Sequence, residues 1–297
     1  MKQQKRLLTA MLAFAILISS ISSINAKRLT ATEIMLRSNE ASQKLRSYSM
    51  EISGFLNVKD DGQDQYANID INADFIVTSK IKSKIDIDYS YSVPFIENSG
   101  SDKGSAELYL KESDNGIDIY ARLDDEEDYE TDTLDIDLES LNILKSNILL
   151  NGLTYQLFRD AELTDINNNG NPAYLISAEI TAKDLFSSYS DESSASLYNA
   201  LLLEPFANLI DDYPPIKVIT LVDKESYIAL RTYLDLTEFM QKILRDDLTT
   251  NNNSSNSRIP TGEKGSDIPF IRSCIIDCKV TNINAIQNID FPALAEK

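Results

Sequence analysis

Histidine is absent from all 297 residues of this chain, and tryptophan is absent too. Without histidine there is no Ser-His-Asp or Cys-His arrangement, no His-ligated zinc, and no general base of the commonest kind near neutral pH. The lack of tryptophan weakens proposals of sugar stacking, although 14 tyrosines could substitute in part. No Ser-Lys or carboxylate pair stands out as a motif. The composition therefore predicts a protein that is not an enzyme and that holds no cofactor or metal.

Cysteine is nearly absent as well, with only Cys274 and Cys278 in the chain. In an extended strand, residues four apart are separated by about 13 Å between Cα atoms, whereas a disulfide spans at most roughly 7 Å. We therefore expect two small buried side chains on the strand face that also carries Ile276 and Val280. The alternative is the disulfide of an exported protein, which needs a bulge, turn or helix between the two cysteines.

Basic residues are few compared with acidic ones. The chain has 28 Lys and Arg against 47 Asp and Glu, a formal net charge of −19. Nucleic-acid binding depends on Lys and Arg that neutralise phosphates, so this balance argues against a nucleic-acid partner. It argues equally against electrostatic binding to anionic lipid surfaces. The surplus of carboxylates favours solubility or attraction to cationic partners.

Long hydrophobic runs are absent, and the most apolar segment lies at the start. Three basic residues precede the run Leu7–Ile18, whose helix of about 18 Å is shorter than a hydrocarbon core of roughly 30 Å. Small and polar residues then lead to Ala26. The pattern predicts a signal peptide over residues 1–26, and therefore an exported protein, secreted or associated with the cell envelope. An uncleaved signal that serves as a tether is the alternative. No lipobox cysteine follows the run.

Beyond residue 26 the hydrophobic period changes from helical to two. Thr30 and Glu33 form a capping box, and apolar residues at helical spacing predict a helix from about Ala31 to Arg46. From Tyr48 onward, apolar and polar residues alternate in five successive segments, which predicts five strands. Turn residues such as Asp114-Asn115-Gly116 join them, so we expect an antiparallel meander and not a βαβ fold.

The second half mixes short strands and helices. Strands are predicted at about Thr154–Thr164, Ala173–Thr181, Ile216–Val222, Tyr227–Leu234, Ile268–Val280 and Asn282–Ile289, and helices at Leu138–Leu150, Ala182–Tyr189 and Ala195–Ile210. Asp235 and Glu238 predict the start of one more helix. We expect an acidic irregular bridge over Asp124–Asp137 and a mobile loop over about residues 249–267. Because the composition shows no break, residues 27–297 are expected to form one domain.

Two polar motifs partly match metal-binding patterns, and both have simpler interpretations. Asp165-x-Asn167-x-Asn169-Gly170 matches the start of a calcium loop, but its twelfth position is Ile176 where a bidentate Glu is required. An Asn- and Gly-rich hairpin turn is the better interpretation. The acidic run Asp124–Asp128 is typical of a solvated loop, with docking of a basic partner or loose cation binding as the alternative.

Three segments resemble the LolA/LppX-like superfamily of exported bacterial proteins, and within it the lipoprotein-like branch common in Firmicutes. They are the opening helix that runs into Ala41–Val58 (ASQKLRSYSMEISGFLNV), the strand–turn–strand–helix of Ile216–Leu244, and the closing Val280–Lys297 with its Ile-Asp-Phe-Pro stop. The resemblance implies an α+β fold with a single curved antiparallel β-sheet, an open half-barrel, and amphipathic helices packed on its concave face. It also implies that lipid or acyl chains occupy the space between sheet and helices.

We therefore predict an exported, non-enzymatic binding or carrier protein for a lipid or other hydrophobic ligand in the cell envelope. The residues predicted to line the concave face, by apolar contact alone, are Ile34, Leu45, Leu197, Leu201, Phe206, Phe239, Met240 and Ile243. The alternative is a structural or protein-interaction module with a filled core, whose acidic exterior docks an envelope partner. Helices that pack tightly on the sheet give only a core, and helices that stand off leave a cavity.

Overall fold

A computed structural model describes residues 29–60, 63–78, 80–92, 101–114, 116–124, 126, 128–134, 155–181, 184, 213–251 and 270–292. The chain divides into two compact units, Met1–Thr30 and Ala31–Lys297, and every element below belongs to the second. Three predicted segments lie outside the described residues: the signal peptide and the helices Leu138–Leu150 and Ala195–Ile210. Of the predicted helix Ala182–Tyr189, only Asp184 is described.

Eleven strands form one sheet in which every neighbouring pair is antiparallel. The strands are β1 (Ser47–Asp60), β2 (Gln63–Val77), β3 (Ile81–Ser92), β4 (Ser101–Ser113), β5 (Gly116–Leu123), β6 (Glu130–Leu134), β7 (Glu162–Asn168), β8 (Asn171–Ile180), β9 (Ile216–Asp223), β10 (Ala229–Asp235) and β11 (Phe270–Thr281). The spatial order is β6-β5-β4-β3-β2-β1-β11-β10-β9-β8-β7. The sheet is open because β6 and β7 are its two edges. The predicted fold class, a single curved antiparallel half-barrel with helices, is confirmed.

The last strand joins two meanders. Strands β1–β6 follow one another in space, as do β7–β10, and β11 lies between β1 and β10. It pairs with β1 from Ser49↔Thr281 to Lys59↔Phe270, with a bulge after Asn57. On its other side it pairs with β10 over only five residues, up to Asp235↔Ile275. The first and last strands in sequence, β1 and β11, are therefore neighbours in the middle of the sheet.

Turn chemistry agrees with the predicted hairpins. Asn169 and Gly170 have φ values of 50° and 94° and join β7 to β8, which is the left-handed backbone that two-residue hairpin turns need. Gly116, at φ 141°, begins β5 after the predicted turn. Asp223 closes the β9–β10 turn, because its Oδ1 accepts the Ser226 N–H at 2.7 Å. The calcium-like motif is thus a hairpin turn, as predicted.

Two α-helices are described, α1 (Ala31–Ser42) and α2 (Thr237–Asn251). Helix α1 begins as predicted but ends four residues before Arg46, because the Arg46 carbonyl accepts the Val77 N–H of β2 at 2.8 Å. Asp235 begins α2 as predicted, with its Oδ1 accepting the Thr237 N–H at 3.0 Å. Helix α2 runs to Asn251, so the first residues of the predicted mobile loop are helical. The rest of that loop lies outside the described residues.

Helix α2 completes the edge of β11 where β10 stops. The Cys274 N–H donates to Thr237 Oγ1 at 3.0 Å, and the Ile271 N–H donates to Gln241 Oε1 at 2.5 Å. Gln241 is buried. Because an unpaired strand edge exposes N–H groups that need acceptors, these side chains replace the missing strand.

Three predicted segments differ from the structure. The predicted strand Thr154–Thr164 is a 3-10 helix (Tyr155–Phe158) followed by β7, because Phe158 is fully buried and its carbonyl accepts the Thr32 hydroxyl at 3.2 Å. The predicted irregular bridge Asp124–Asp137 contains β6, whose residues are all exposed and which is held by backbone pairing with β5. The predicted strand Asn282–Ile289 is not a strand, because Asn282 and Asn284 have φ near +50° and end the extended backbone.

Candidate functional site on the concave face

Strand register brings apolar residues from five strands into rows on one face. We call this face concave; it carries Tyr48 and Met50 of β1, and the opposite face is the convex face. One row runs Tyr48–Phe75–Ser83–Leu110–Ile119 across β1 to β5, and the next runs Met50–Ala73–Ile85–Leu108–Ala121. The third row is Ile52–Ile71–Ile87–Ala106–Leu123. The concave face is therefore a continuous apolar surface.

One end of this face is filled. Tyr48 and Phe75 are buried, with ring centroids 5.0 Å apart, and a buried cluster surrounds them. Its other members are Leu45, Met50, Ala73, Ile228 and Cys278. Burial raises the pKa of the Tyr48 hydroxyl, as expected for a phenol in an apolar core. The face is also buried on β8 from Ile176 to Ile180 and on β9 from Val222 to Ile216.

The other end of the face, on β1 to β5, is less covered. The six residues Ile52, Ile69, Ile71, Ile87, Ala106 and Leu123 form what we call the open patch. Four of them are half-buried, while Ile69 is 40% exposed and Leu123 is 54% exposed. Burial thus falls both along the strands, away from Tyr48, and across them toward β5. An apolar surface of this kind favours an apolar ligand.

Two glycines shape the patch. A Cβ on Gly54 would lie 2.7 Å from Ile69 Cγ2, so the absence of a side chain in β1 lets Ile69 lie across its neighbour. A Cβ on Gly104 would lie 2.3 Å from the Tyr89 hydroxyl oxygen. The Tyr89 ring stacks on Tyr91 with centroids 6.5 Å apart. Close approach of a large side chain is the reason glycine is needed at both positions.

The predicted site residues fall into three groups. Ile34 is fully buried on α1, and Leu45 belongs to the filled cluster around Tyr48. Phe239, Met240 and Ile243 are half-buried on α2, and the Phe239 ring lies against Tyr213 with centroids 5.3 Å apart. The remaining predicted residues, Leu197, Leu201 and Phe206, lie outside the described residues.

The open patch was not predicted as a site, although its signal was in the sequence. The period-two alternation of Ile69-x-Ile71 and Ile85-x-Ile87 places these side chains on one face. The prediction took site residues from helices because a helix carries an obvious apolar stripe. Which strand residues stay half-covered depends on what packs above them, and alternation does not report that.

The convex face carries hydrogen bonds and ion pairs between strands. Its densest network surrounds Glu107, which accepts hydrogen bonds from Arg122 Nη2 at 2.6 Å, from Tyr109 at 3.1 Å and from Tyr129, and pairs with Lys84 at 3.2 Å. Desolvation opposes ionisation, but the hydrogen bonds from Tyr129, Lys84 and Tyr109 lower the pKa of Glu107 to about 2. A carboxylate held this way stays ionised, so it is a poor proton donor or base near neutral pH.

The segment after β11 crosses the same convex face. The Asn284 and Ile286 N–H groups donate to the backbone carbonyl and the hydroxyl of Ser47, at 2.7 and 3.1 Å. Farther on, the Phe291 ring lies 5.4 Å from the Tyr109 ring, between centroids. Ile289 is buried. The Ile-Asp-Phe-Pro stop therefore covers the outside of the sheet and takes no part in the concave face.

No group of three or more His, Cys, Asp or Glu side chains that could hold a metal occurs among the described residues. Cys274 and Cys278 are free thiols, the first half-buried and the second buried. Burial raises the pKa of the Cys278 thiol to about 11. A cavity of about 780 Å³ lies where β8 extends beyond β7 and is lined by residues that include Arg159, Glu162 and Ile180.

The described chain thus defines an α+β protein with an open antiparallel half-barrel and an apolar concave face. Within the described part, neither helix is long and apolar enough to cross a bilayer. No protein-family model and no curated protein matches the sequence.

Similar solved structures include LprF from Mycobacterium bovis, at 10% identity and a TM-score of 0.43, covering 89% of this chain and 97% of that one. A DUF1329 family protein from Desulfovibrio piger ATCC 29098 aligns at 9% identity and a TM-score of 0.27, covering 90% and 98%. A putative outer membrane lipoprotein-sorting protein domain from Vibrio parahaemolyticus aligns at 8% identity and a TM-score of 0.21, covering 86% and 92%.

Proposed function

We propose that this protein is a non-enzymatic binding or carrier module for a lipid or other hydrophobic ligand, acting after export in the cell envelope. The observation that carries the proposal is the open patch. It places Ile69 and Leu123 on the face that should hold the core, at exposures of 40% and 54%. A ligand that covered this surface would gain about 25 cal/mol for each Å² of apolar area removed from water.

Acyl chains suit this surface better than compact ligands do. The patch is made of aliphatic side chains in parallel rows across four strand spacings, and neighbouring strands lie about 4.8 Å apart. Each methylene group of a chain that lies along a row would contribute about 0.8 kcal/mol. The residues predicted from the helices remain part of this proposal. Phe239, Met240 and Ile243 would close the binding space together with Leu197, Leu201 and Phe206, and Ile34 and Leu45 would complete its buried end.

The proposed family is the LolA/LppX-like superfamily. The three segments that carry the resemblance correspond to α1 with β1, to β9 and β10 with α2, and to the segment after β11. The Firmicutes branch, the signal peptide over residues 1–26 and the extracellular or envelope location are parts of the same proposal. They are supported by the sequence patterns described above.

Native mass spectrometry of gently purified protein is the first test, because it detects and identifies a co-purified lipid. A bare mass, with no lipid taken up on addition of a lipid extract, would favour the alternative of a filled interaction module.

A matched pair of variants tests where the ligand lies. Ile69 and Phe55 lie on adjacent strands at 40% and 39% exposure, but on opposite faces. We expect Ile69→Glu to abolish uptake of an acyl chain, because it places a charge in the patch, and Phe55→Glu to leave uptake intact. The absence of tryptophan allows a reporter: Leu123→Trp should be quenched by a brominated fatty alcohol, and the convex-face Ile219→Trp should not. Equal behaviour within either pair would refute the assignment of the ligand to the concave face.

A further inference from the structure

Charge is distributed very unevenly between the two faces of the sheet. Every Lys and Arg that has a register partner in the eleven described strands lies on the convex face, as Lys82, Lys84 and Lys111 do. Arg272, which the register skips at the bulge of β11, pairs with the convex Asp64 at 3.0 Å. The convex cations pair with convex carboxylates, for example Arg231 with Asp277 at 2.5 Å. No strand contributes a cation to the concave face. An anionic headgroup bound there would find no opposite charge on the sheet.

Carboxylates, in contrast, lie on the concave side next to the open patch. Glu130 and Asp132 of the edge strand β6 are directly opposite Ala121 and Ile119 of β5, and those two residues have concave positions. Side chains directly opposite in an antiparallel pair have Cβ atoms about 5 Å apart. Both carboxylates are exposed, and neither forms a salt bridge with any residue in the described ranges.

The apolar surface continues to this rim. Leu123 is 54% exposed and Leu134, which lies on the same side of β6, is 52% exposed. A chain lying along the third row of the concave face would reach Leu123 at the β5 edge. Its polar end would then lie one concave position along β5 from Ala121, which is opposite Glu130 in the second row, with Asp132 opposite Ile119 in the first row.

Two cations that the structure describes near the concave side, Lys224 and Arg37, lie elsewhere and have partners. Lys224 pairs with Asp165 at 2.7 Å, in the turn after β9. Arg37 of α1 donates a hydrogen bond to the Tyr227 hydroxyl at 2.9 Å. Through these partners both cations are next to β7 or to the turn after β9, at the opposite end of the strand order from β6. They cannot neutralise the rim at Glu130.

We propose that the ligand of the concave face is an amphiphile with a positively charged headgroup, whose chain lies on the open patch and whose cation is held by Glu130 and Asp132 at the β6 rim. This inference rests on the proposed function and adds the charge of the ligand to it. An ammonium group about 5 Å from two carboxylates should bind roughly tenfold tighter than a neutral headgroup, and an anionic one more weakly still.

The test is calorimetric titration of the protein with three amphiphiles that share one twelve-carbon chain, below their critical micelle concentrations. The headgroups are trimethylammonium, maltoside and sulfate. We expect affinity to fall in that order, and tetramethylammonium without a chain to show no measurable binding. If none of the three binds, the proposed function itself fails. If all bind equally, or the sulfate binds best, the function stands and the inference about charge is wrong. Binding of tetramethylammonium as tight as that of the long-chain ammonium would also overturn it.

A pair of double variants separates the rim from the overall negative charge. Glu130→Gln with Asp132→Asn should remove the roughly tenfold preference for the ammonium headgroup while the maltoside still binds. Asp70→Asn with Asp88→Asn changes the net charge equally, but these carboxylates lie on the convex face, so the preference should persist. Equal loss in both variants would show that the preference comes from net charge, and would refute the rim site.

Discussion

Removing the hydroxyl of Tyr129 should destabilise the protein more at neutral pH than at low pH. This hydroxyl donates to Glu107, which also binds Lys84, Tyr109 and Arg122. In Tyr129→Phe the carboxylate loses one of the donors that keep it ionised. The network spans β3, β4 and β5 and extends to the residue just before β6, so it ties together the strands that carry the open patch on their other face.

The magnitude follows from the pKa of Glu107, which falls from 4.5 to about 2 in the folded protein. That difference corresponds to at most about 3.4 kcal/mol, and since solvent reaches the carboxylate, screening reduces it to about 1–2 kcal/mol. We expect Tyr129→Phe to lose about 1 kcal/mol at pH 7, as for a hydrogen bond to a charged group. Because the folded pKa is depressed, the stabilisation is complete above about pH 5 and is lost as the pH falls from 4.5 toward 2.

Because variant and parent share the unfolded pKa of 4.5, the difference between them falls only as the pH approaches the folded pKa of about 2. The assay is urea unfolding followed by far-ultraviolet circular dichroism at pH 7, 5 and 2, with the free energy of unfolding compared between variant and parent. Tyr120→Phe is the control, since Tyr120 contacts Phe291 through its ring and its hydroxyl forms no hydrogen bond with a described residue. Its effect should be small and independent of pH. A Tyr129→Phe effect that stayed constant from pH 7 to pH 2, or that matched the control, would refute the role assigned to Glu107.

Two further predictions concern packing. Gly104→Ala should lower the free energy of unfolding by about 1–3 kcal/mol, because the new Cβ would lie 2.3 Å from the Tyr89 hydroxyl and 2.5 Å from Asp124 Oδ1. Gly170→Ala has open space but a φ of 94°, so it should lower the free energy of unfolding by only about 1 kcal/mol. A larger loss for Gly170→Ala than for Gly104→Ala in urea unfolding would contradict the packing argument. Cys278, with its pKa raised by burial to about 11, should react with a thiol reagent only after unfolding, and modification of the native protein at the rate of the unfolded chain would show that the site is not buried.

Local structure was predictable where a few neighbouring residues decide it. The capping box at Thr30 and Glu33 predicted where α1 begins, and Asp235 predicted the start of α2. Alternation predicted five of the six strands of the first meander, β1 to β5, and placed both cysteines on one strand face. The failures came where a distant contact overrides the local pattern. For example, residues Tyr155–Phe158 form a 3-10 helix and not the predicted strand, because this conformation buries Phe158.

The residues that line an apolar site stay a prediction, because a local pattern does not report what covers each side chain. An apolar space between sheet and helices was expected, and helix residues were chosen to line it. Ile34 and Leu45 are buried, Phe239, Met240 and Ile243 of α2 are half-buried, and the two exposed residues of the open patch, Ile69 and Leu123, are on strands. Coverage depends on how far each strand extends beyond the elements packed on it, and no local period carries that information.

The sequence by itself determined that this chain lacks histidine, is acidic, and is built from hairpins with amphipathic helices, because composition, period and turn residues act over a few positions at a time. Only the tertiary structure decided that β11 lies between β1 and β10, that β6 is an edge, and that Glu130 and Asp132 lie on the concave side next to Ile119 and Ala121. Those relations come from backbone pairing between distant residues. Register assigns each side chain to a face of the sheet. A shift of one residue in a strand would move all side chains of that strand to the opposite face.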